Sequence, residues 1–154
     1  MIDTIDKANR SLLMANVKGK NTAPELLVRK RLHRLGFRFA LHDKKLSGRP
    51  DLVLPRHQAV VFVHGCFWHR HSSCAYATTP ATRAEFWFDK FQKNVERDAR
   101  NISKLKEQGW RVFVVWECGL KHEPEKILKK LARGIKQKRC EGLELPETPS
   151  KPMK

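Results

Sequence analysis

Residues 59–74 read AVVFVHGCFWHRHSSC, a short apolar run followed by a segment rich in possible metal ligands and aromatic rings. The first five residues are apolar throughout, which predicts a central strand that is covered on both faces. The segment His64–Cys74 then holds three imidazoles, two thiols, two large aromatic rings and one arginine. Because unpaired polar groups are costly to bury, we expect a functional site in this loop rather than a packed core.

The cysteines and histidines of the loop predict a structural metal site. Cys66, His71 and Cys74 follow the pattern C-x4-H-x2-C, which suits one tetrahedral zinc ion with a fourth ligand from elsewhere in the chain. Cys118, just after a second apolar run, is the expected fourth ligand. The spacing also permits His69 as the ligand in place of His71, and both assignments stay open at this point.

Composition bounds the class of protein. The chain has 154 residues, enough for one domain with its own core, and its formal net charge of +16 favours a polyanionic partner such as nucleic acid. Basic proteins of membrane surfaces and ribosomes share such a charge. No run reaches transmembrane length and no signal peptide is evident, so we expect a cytosolic protein whose cysteines are ligands or reduced thiols. Cys140 stands alone in a charged stretch and is expected to be a bystander.

Helix-start and strand patterns predict an alternating α/β chain. Thr22-Ala-Pro-Glu25 and Thr82-Arg-Ala-Glu85 each combine a capping threonine with a glutamate three residues later, which predicts helices that end at Gly36 and Gly109. Glu123-Pro-Glu125 predicts the start of a third helix. Strands are predicted over residues 37–41, 51–54, 59–63 and 110–116. The order favours an α/β fold, a three-layer sandwich around a mixed central sheet.

The domain limits follow from where these patterns stop. We expect a mobile arm over residues 1–20, a single domain over 21–140 and a disordered tail over 141–154. Helical spacing predicts that the first two helices turn the following apolar residues toward the core: Leu26, Leu27, Leu32 and Leu35 in the first, and Phe88, Phe91, Val95, Ile102 and Leu105 in the second.

Asp51 and His69 are the residues most typical of catalysis. Asp51 begins one strand of a predicted hairpin, and the hairpin returns Val63 and His64 beside it. A carboxylate and a backbone carbonyl are hard ligands that suit Mg²⁺. His69, inside the loop, would be held in place as a base that takes a proton from water. An aspartate at the start of a strand is also a common turn residue.

Glu25, Asp98 and the aromatic rings have structural alternatives. Glu25 already completes a capping box, and Asp98 is one of several charges on its helix, with Asn94 one turn earlier on the same face. Trp87 adjoins a residue predicted to face the core, so it also has a packing explanation. Phe67 and Trp68 lie in the short loop, where exposed rings beside a basic surface can wedge between bases.

Several motifs carry a resemblance to a known family: Gly48-Arg-Pro-Asp51, His64-Gly-Cys-Phe-Trp-His-Arg-His71, Pro80, Glu85-Phe-Trp87, Asn94-Val-Glu-Arg-Asp98 and Gly109-Trp-Arg-Val followed by Trp116-Glu-Cys118. Over residues 6–118 the chain resembles the very short patch repair (Vsr-type) mismatch endonucleases. The family often has threonine where this chain has Val63, a change that keeps the backbone carbonyl. His71 and Cys74 are separated by two residues where some members have one.

The resemblance implies a fold like that of the type II restriction enzymes and a Mg²⁺-dependent reaction. Such enzymes nick one strand 5′ of the thymine in a T·G mismatch left by deamination of 5-methylcytosine. The implied partner is double-stranded DNA with that mismatch, together with mismatch-repair proteins. We expect a monomer, since one nick needs one active site, in the bacterial cytosol at the nucleoid.

The same resemblance assigns the site residues by role. A structural zinc is implied at Cys66, His71, Cys74 and Cys118, and a catalytic Mg²⁺ at Asp51 and the main-chain oxygen of Val63. His69 is implied as the base, supported by His64, Glu25 and Asp98. The implied DNA contacts are made by Phe67, Trp68 and Trp87 from the major groove and by Met14 and Val17 from the minor groove, with Asn94 as a further candidate.

Three rival functions fit parts of the same pattern. A restriction-type endonuclease would cut unmodified duplex DNA with the same sheet and acid. A zinc-bearing DNA-binding module without catalysis would explain the charge and the cysteines, but it gives Asp51, His64 and His69 no role. A basic structural protein of a ribonucleoprotein would explain the charge alone.

Overall fold

The structure is a computed structural model, and it describes residues 22–146. The predicted arm over residues 1–20, with Met14 and Val17, lies outside the described residues, as do residues 147–154. The elements in chain order are α1 (Ala23–Arg34), β1 (Ala40–Leu41), β2 (Leu52–Leu54), β3 (Ala59–His64), α2 (Ala84–Glu107), β4 (Arg111–Trp116), α3 (Glu117–His122), α4 (Pro124–Lys136) and β5 (Gly142–Leu145). A single 3₁₀ turn, Pro55–His57, joins β2 to β3.

The five strands form one mixed sheet in the order β1-β2-β3-β4-β5. β2 pairs antiparallel with both β1 and β3, while β3, β4 and β5 run parallel to one another. Helix α2 is the crossover that two parallel neighbours such as β3 and β4 require. The register aligns His64 with Trp116, so the ends of β3 and β4 lie side by side. The mixed central sheet confirms the predicted α/β class.

Alternate residues of the strands build two cores, one on each face of the sheet. On one face, Val61 and Phe113 pack with residues of α1 and α4. On the other face, Val60 and Val114 pack with α2 and with the buried cysteines of the loop after β3. The loop after β3 therefore covers part of this face of the sheet.

Helix α1 turns a different face inward from the one predicted. Its buried residues are Glu25, Val28 and Leu32, whereas Leu26, Leu27 and Leu35 are exposed. The buried residues recur at intervals of three and four, so they form one stripe of the helix. The Thr22 hydroxyl accepts the Glu25 backbone N–H at 3.4 Å, as the capping pattern predicts. The stripe carries the Glu25 carboxylate into the interior.

Helix α2 also differs from the prediction in two respects. Phe91 and Leu105 are buried, but Phe88 and Val95 lie on the exposed side of the helix. The helix begins after Arg83, which has a left-handed φ of 58° and makes no side-chain cap, so the second predicted capping box does not form.

The predicted disordered tail was wrong for Gly142–Leu145, which form strand β5 along the edge of β4. Leu145 is buried and Leu143 packs against the core, so two leucines that alternate with glutamates serve as a short strand. At Gly142, with φ of 136°, a Cβ would lie 2.2 Å from the Val112 carbonyl oxygen, so only glycine allows this approach.

The patterns also missed α3 and overstated β1, which covers only the last two residues of the predicted strand 37–41. Within residues 22–146, none of the helices combines the length and apolar character that crossing a membrane requires.

Candidate active site

Four buried side chains from the loop and from α3 form a possible metal centre. Cys66, His71, Cys74 and Cys118 each offer a ligand atom, and these atoms all lie within 4.8 Å of one another. His71 Nδ1 is 3.6 Å from Cys66 Sγ and 3.4 Å from Cys118 Sγ. Ligand atoms of sulfur and nitrogen around one tetrahedral zinc ion are about 3.6 Å apart, so the distances fit such an ion.

The backbone shapes this group before any ion is added. The amide of His71 donates to the Cys66 carbonyl at 3.1 Å, and the amide of Cys74 donates to the His71 carbonyl at 3.2 Å. The Glu117 carboxylate accepts the Cys66 N–H at 3.2 Å. Burial raises the pKa of the Cys66 thiol, so a bound cation would be needed to hold it as a thiolate.

His69 belongs to a separate group, apart from the four side chains that include His71. Its ring is stacked on His64 with a centroid distance of 3.8 Å and an interplanar angle of 4°. Its Nδ1 lies 2.6 Å from Asp98 Oδ2, and Asp98 comes from the middle of α2. Burial acts to raise the pKa of Asp98, but the hydrogen bond and charge of His69 outweigh it and lower that pKa. An ionised Asp98 therefore accepts a hydrogen bond from Nδ1–H, so that Nε2 is the ring nitrogen not engaged by Asp98.

His64 is the buried partner of this stack. Burial, together with the charge of His69, lowers the pKa of His64 to about 3, so its imidazole is neutral at physiological pH. The His64 ring also makes a T-shaped contact with the Trp116 ring, at 5.2 Å between centroids. Trp116 also stacks on His71 at 4.2 Å and donates its Nε1–H to Glu144 of β5 at 2.7 Å. One tryptophan thus contacts both the histidine pair and the cysteine-rich group.

A third group contains Glu25, His42 and Asp51, whose ligand atoms also lie within 4.8 Å of one another. His42 Nε2 is 2.8 Å from Glu25 Oε1 and 3.8 Å from Asp51 Oδ1. Asp51 Oδ2 accepts the backbone N–H of Val63 at 2.7 Å. Arg29, one turn after Glu25, forms an ion pair with it. The structure therefore brings together the predicted residues Glu25, Asp51 and Val63.

The two carboxylates of this group have opposite pKa shifts. Burial and the neighbouring Glu25 raise the pKa of Asp51 to about 8, despite the hydrogen bond from Val63. Burial also acts to raise the pKa of Glu25, but Asp51, His42 and Arg29 together lower it. Two acids this close do not both ionise freely, and a bound cation would relieve their repulsion.

Strand β3 joins the carboxylate group to the histidine pair. Val63 contacts Asp51 through its backbone, and the next residue, His64, stacks on His69. Two groups that come from different helices and loops therefore meet at the carboxyl end of one strand.

Sequence reasoning missed His42 and Arg29. A strand that ends at Leu41 and pairs antiparallel with one that begins near Asp51 brings His42 beside that acid, and this pairing was the signal that could have identified it.

The aromatic candidates converge beside these groups. Phe67 contacts Trp68 at 5.0 Å and Trp87 at 6.0 Å between ring centroids, and all three rings are half-buried. The Lys90 ammonium lies 5.5 Å from the Trp68 ring. Trp87 also packs on the buried Phe91, as its packing explanation predicts, while the ring stays partly exposed.

Asn94 contacts the same loop from α2. Its side-chain amide donates to the Trp68 carbonyl at 3.3 Å, and this bond ties the helix to the aromatic loop. The contact shown for Asn94 is thus within the protein, while its predicted contact with DNA stays a prediction.

The chain is similar to a group of known DNA enzymes. A family model described as DNA mismatch endonuclease Vsr matches residues 2–75. The DNA mismatch endonuclease Vsr of Escherichia coli strain K12 is 49% identical over 121 residues, which cover 79% of this chain and 77% of that protein.

Two relatives carry the name type II nicking enzyme. V.NmeAIP of Neisseria meningitidis is 44% identical over 88% of this chain and 98% of its own length. V.XorIIP of Xanthomonas oryzae is 47% identical over 78% of this chain and 88% of its own length. These likenesses cover most of both chains in each pair. The chain therefore belongs to the Vsr family of DNA mismatch endonucleases, which makes it a mismatch or nicking endonuclease that acts on DNA.

Proposed function

We propose that this endonuclease nicks one strand of duplex DNA 5′ of the thymine in a T·G mismatch that arises by deamination of 5-methylcytosine. One observation carries the proposal: at the end of β3 a buried carboxylate group meets an aspartate-bound histidine. The chain also shares 49% identity with a relative named a DNA mismatch endonuclease. The same combination of groups supports hydrolysis of a phosphodiester by an activated water.

His69 is the proposed base. With Nδ1 engaged by Asp98 at 2.6 Å, Nε2 is the nitrogen that takes the proton from the attacking water. The neutral His64 ring stacked below fixes the plane of His69 without adding a second positive charge. About a quarter of the His69 side chain is exposed, so DNA and water have access to it.

Asp51 and the main-chain oxygen of Val63 are the proposed Mg²⁺ ligands, with Glu25 beside them. Carboxylate and carbonyl oxygens suit this ion, and the repulsion between the two buried acids favours a cation there. When bound, Mg²⁺ would neutralise phosphate charge and stabilise the leaving oxygen. Asp51 is held in place by the Val63 N–H, which donates to its Oδ2 at 2.7 Å.

Zinc is the proposed occupant of the group formed by Cys66, His71, Cys74 and Cys118. Three thiolates and one imidazole in a closed, buried set are the ligands typical of structural zinc. An ion there would hold both ends of the segment that carries His69, Phe67 and Trp68. Positioning of the base within about 1 Å matters, because such a shift can cost roughly a hundredfold in rate.

Phe67, Trp68 and Trp87 are the proposed major-groove wedge beside the mismatch. Unstacking a base step costs a few kcal/mol and costs least where the pair is already mismatched, which supports selection of T·G over paired DNA. Met14 and Val17 are proposed to approach from the minor groove, and mismatch-repair proteins are the proposed partners. The mixed sheet with an acid beside a strand end supports a fold like that of the type II restriction enzymes. We also propose that the protein acts as a monomer in the cytoplasm.

A second candidate function is nicking at a short, fully paired sequence. It is favoured by the relatives named type II nicking enzymes, at 44% and 47% identity. A restriction-type enzyme that acts on unmodified duplex DNA is the wider form of this alternative.

A strand-specific nicking assay on matched duplexes separates the two functions. Duplexes that differ only in T·G against T·A at one position are incubated with and without Mg²⁺, and each strand carries its own label. We expect a nick 5′ of the mismatched thymine only with Mg²⁺, and little or none in the T·A duplex. Equal nicking of both duplexes would overturn the mismatch proposal in favour of the second candidate.

A further inference from the structure

We infer that His42 donates a ring nitrogen to the divalent cation at Asp51, which makes this a mixed nitrogen–oxygen site that binds Mn²⁺ more tightly than Mg²⁺. The inference rests on the proposed function, because it takes the cation site at Asp51 from there. It concerns a residue that the sequence patterns did not single out.

The sheet itself brings His42 to the site. His42 is the first residue after β1, and its backbone N–H donates to the Asp51 carbonyl at 3.3 Å in continuation of the β1–β2 ladder. Val63, in the next strand, holds Asp51 from the other side. Three neighbouring strands therefore place His42, Asp51 and Val63 in a row at one end of the sheet, with Glu25 of α1 over them.

The distances within the group suit atoms that share one ion. His42 Nε2 lies 2.8 Å from Glu25 Oε1 and 3.8 Å from Asp51 Oδ1. Two atoms bound at about 2.1 Å to an octahedral ion lie about 3 Å apart as neighbours and about 4.2 Å apart on opposite sides. The 2.8 Å distance, a hydrogen bond in this structure, is close to the separation of neighbouring ligands, and the 3.8 Å distance lies between the two values.

The remaining oxygens of the two acids are engaged elsewhere, which orients the group. Asp51 Oδ2 accepts the Val63 N–H, and Glu25 Oε2 is paired with Arg29. The other oxygens, Asp51 Oδ1 and Glu25 Oε1, are the ones that face His42 Nε2. Because Arg29 balances one of the two carboxylates, a neutral imidazole completes the set without adding further negative charge.

The ligand type sets the ion preference. Mg²⁺ favours oxygen ligands and retains water, whereas imidazole suits transition metals. The side chain of His42 is 20% exposed, which leaves room for water and a phosphate oxygen beside it. A site with one imidazole therefore still accepts Mg²⁺ but favours Mn²⁺.

Pulsed electron paramagnetic resonance of Mn²⁺ added to the full chain tests this directly, because a coordinated nitrogen modulates the manganese signal. We expect a ¹⁴N modulation in the unaltered protein. When histidine is labelled with ¹⁵N, we expect the ¹⁵N pattern in its place. The modulation should vanish in His42→Gln and persist in His33→Gln, a matched change at an exposed histidine of α1. Mn²⁺ affinity should fall about tenfold or more in His42→Gln, with a smaller change for Mg²⁺.

Three results would overturn the inference, and they distinguish its failure from that of the proposed function. Mn²⁺ that binds through Asp51, as shown by its loss in Asp51→Asn, but without histidine modulation would exclude His42 and leave the proposed function intact. Persistence of the modulation in His42→Gln would do the same. Mn²⁺ binding that survives Asp51→Asn would remove the cation site itself, and with it both the inference and this part of the proposed function. The isotope experiment uses the unaltered chain, so a folding defect in a variant does not obscure the answer.

Discussion

Two histidines only two positions apart, His69 and His71, belong to groups with opposite character. His71 is 4% exposed and lies among the buried thiols of Cys66, Cys74 and Cys118, and these four residues form the closed group. His69 is 25% exposed and is bound to Asp98, and it lies beside the carboxylate group, in which His42 and Asp51 also reach solvent. Together these residues form the open group. Closed groups are typical of structural metal sites and open ones of catalytic sites. Alternate side chains of one short loop therefore enter two different groups, one that suits a structural metal and one that suits catalysis.

The largest expected effect is on the closed group. Cys118→Ser should lower the metal content of the purified protein and its melting temperature sharply, because structural zinc binding contributes about 10 kcal/mol or more to folding. Elemental analysis and thermal unfolding measure both. Cys140→Ser is the matched control, since Cys140 lies outside the group and is half-buried. Full metal content with unchanged melting in Cys118→Ser would contradict the assigned ligands.

The next largest effect should come from changes in the open group, which should reduce nicking without reducing stability. His69→Ala and Asp51→Asn should reduce single-turnover nicking at least about a hundredfold, since a general base contributes about that much or more. DNA binding and melting temperature should change little. Asp89→Asn, a change to an exposed acid of α2, should nick normally. A His69→Ala variant that nicks at the full rate would remove His69 from the reaction.

Asp98 gives a further test of the open group, because its proposed role is to act through His69. Asp98→Asn should slow nicking by about a hundredfold, near the lower end of what a general base contributes. NMR of the His69 ring nitrogens should show a changed tautomer, because the amide has lost the charge that favours a proton on Nδ1. An unchanged His69 spectrum together with a slow enzyme would mean that Asp98 acts by another route.

The smallest effect should come from Trp116, which contacts both groups. Trp116→Phe keeps a ring between His64 and His71 but removes the hydrogen bond to Glu144, so the unfolding free energy should fall by about 1 kcal/mol. Nicking should fall only a few-fold, in proportion to any loosening of the stacked rings. Trp110→Phe serves as the control. A loss of activity as large as that of His69→Ala would show that the two groups are less independent than the comparison states.

The local patterns of the sequence predicted the groups that depend on short-range geometry. Cys66, His71 and Cys74 lie within nine residues, so the tight turns of this segment bring them together independently of how other elements pack. The antiparallel hairpin likewise brings Asp51 to Val63 because its connecting turn is short. The mixed sheet followed from the apolar runs of β3 and β4, separated by a helix.

The parts that sequence reasoning missed depend on which elements pack together. Because Glu25 is polar, the sequence pattern predicted that Leu26 and Leu27 form the buried face of α1. Instead Glu25 faces inward, where it contacts His42 and Arg29. Strand β5 has only two leucines among charged residues, and it is stable because β4 offers a free edge and Trp116 donates to Glu144. His42 becomes visible only through the β1–β2 register.

We propose that the open group acts on one phosphate of the DNA while the closed group only holds the loop. A crystal structure of the full chain with a T·G duplex and Ca²⁺ in place of Mg²⁺ would test this division of roles. We expect the phosphate 5′ of the mismatched thymine to lie between Asp51 and His69 Nε2, with the closed group away from the DNA. A scissile phosphate bound at Cys66 and His71, or one remote from both Asp51 and His69, would contradict it.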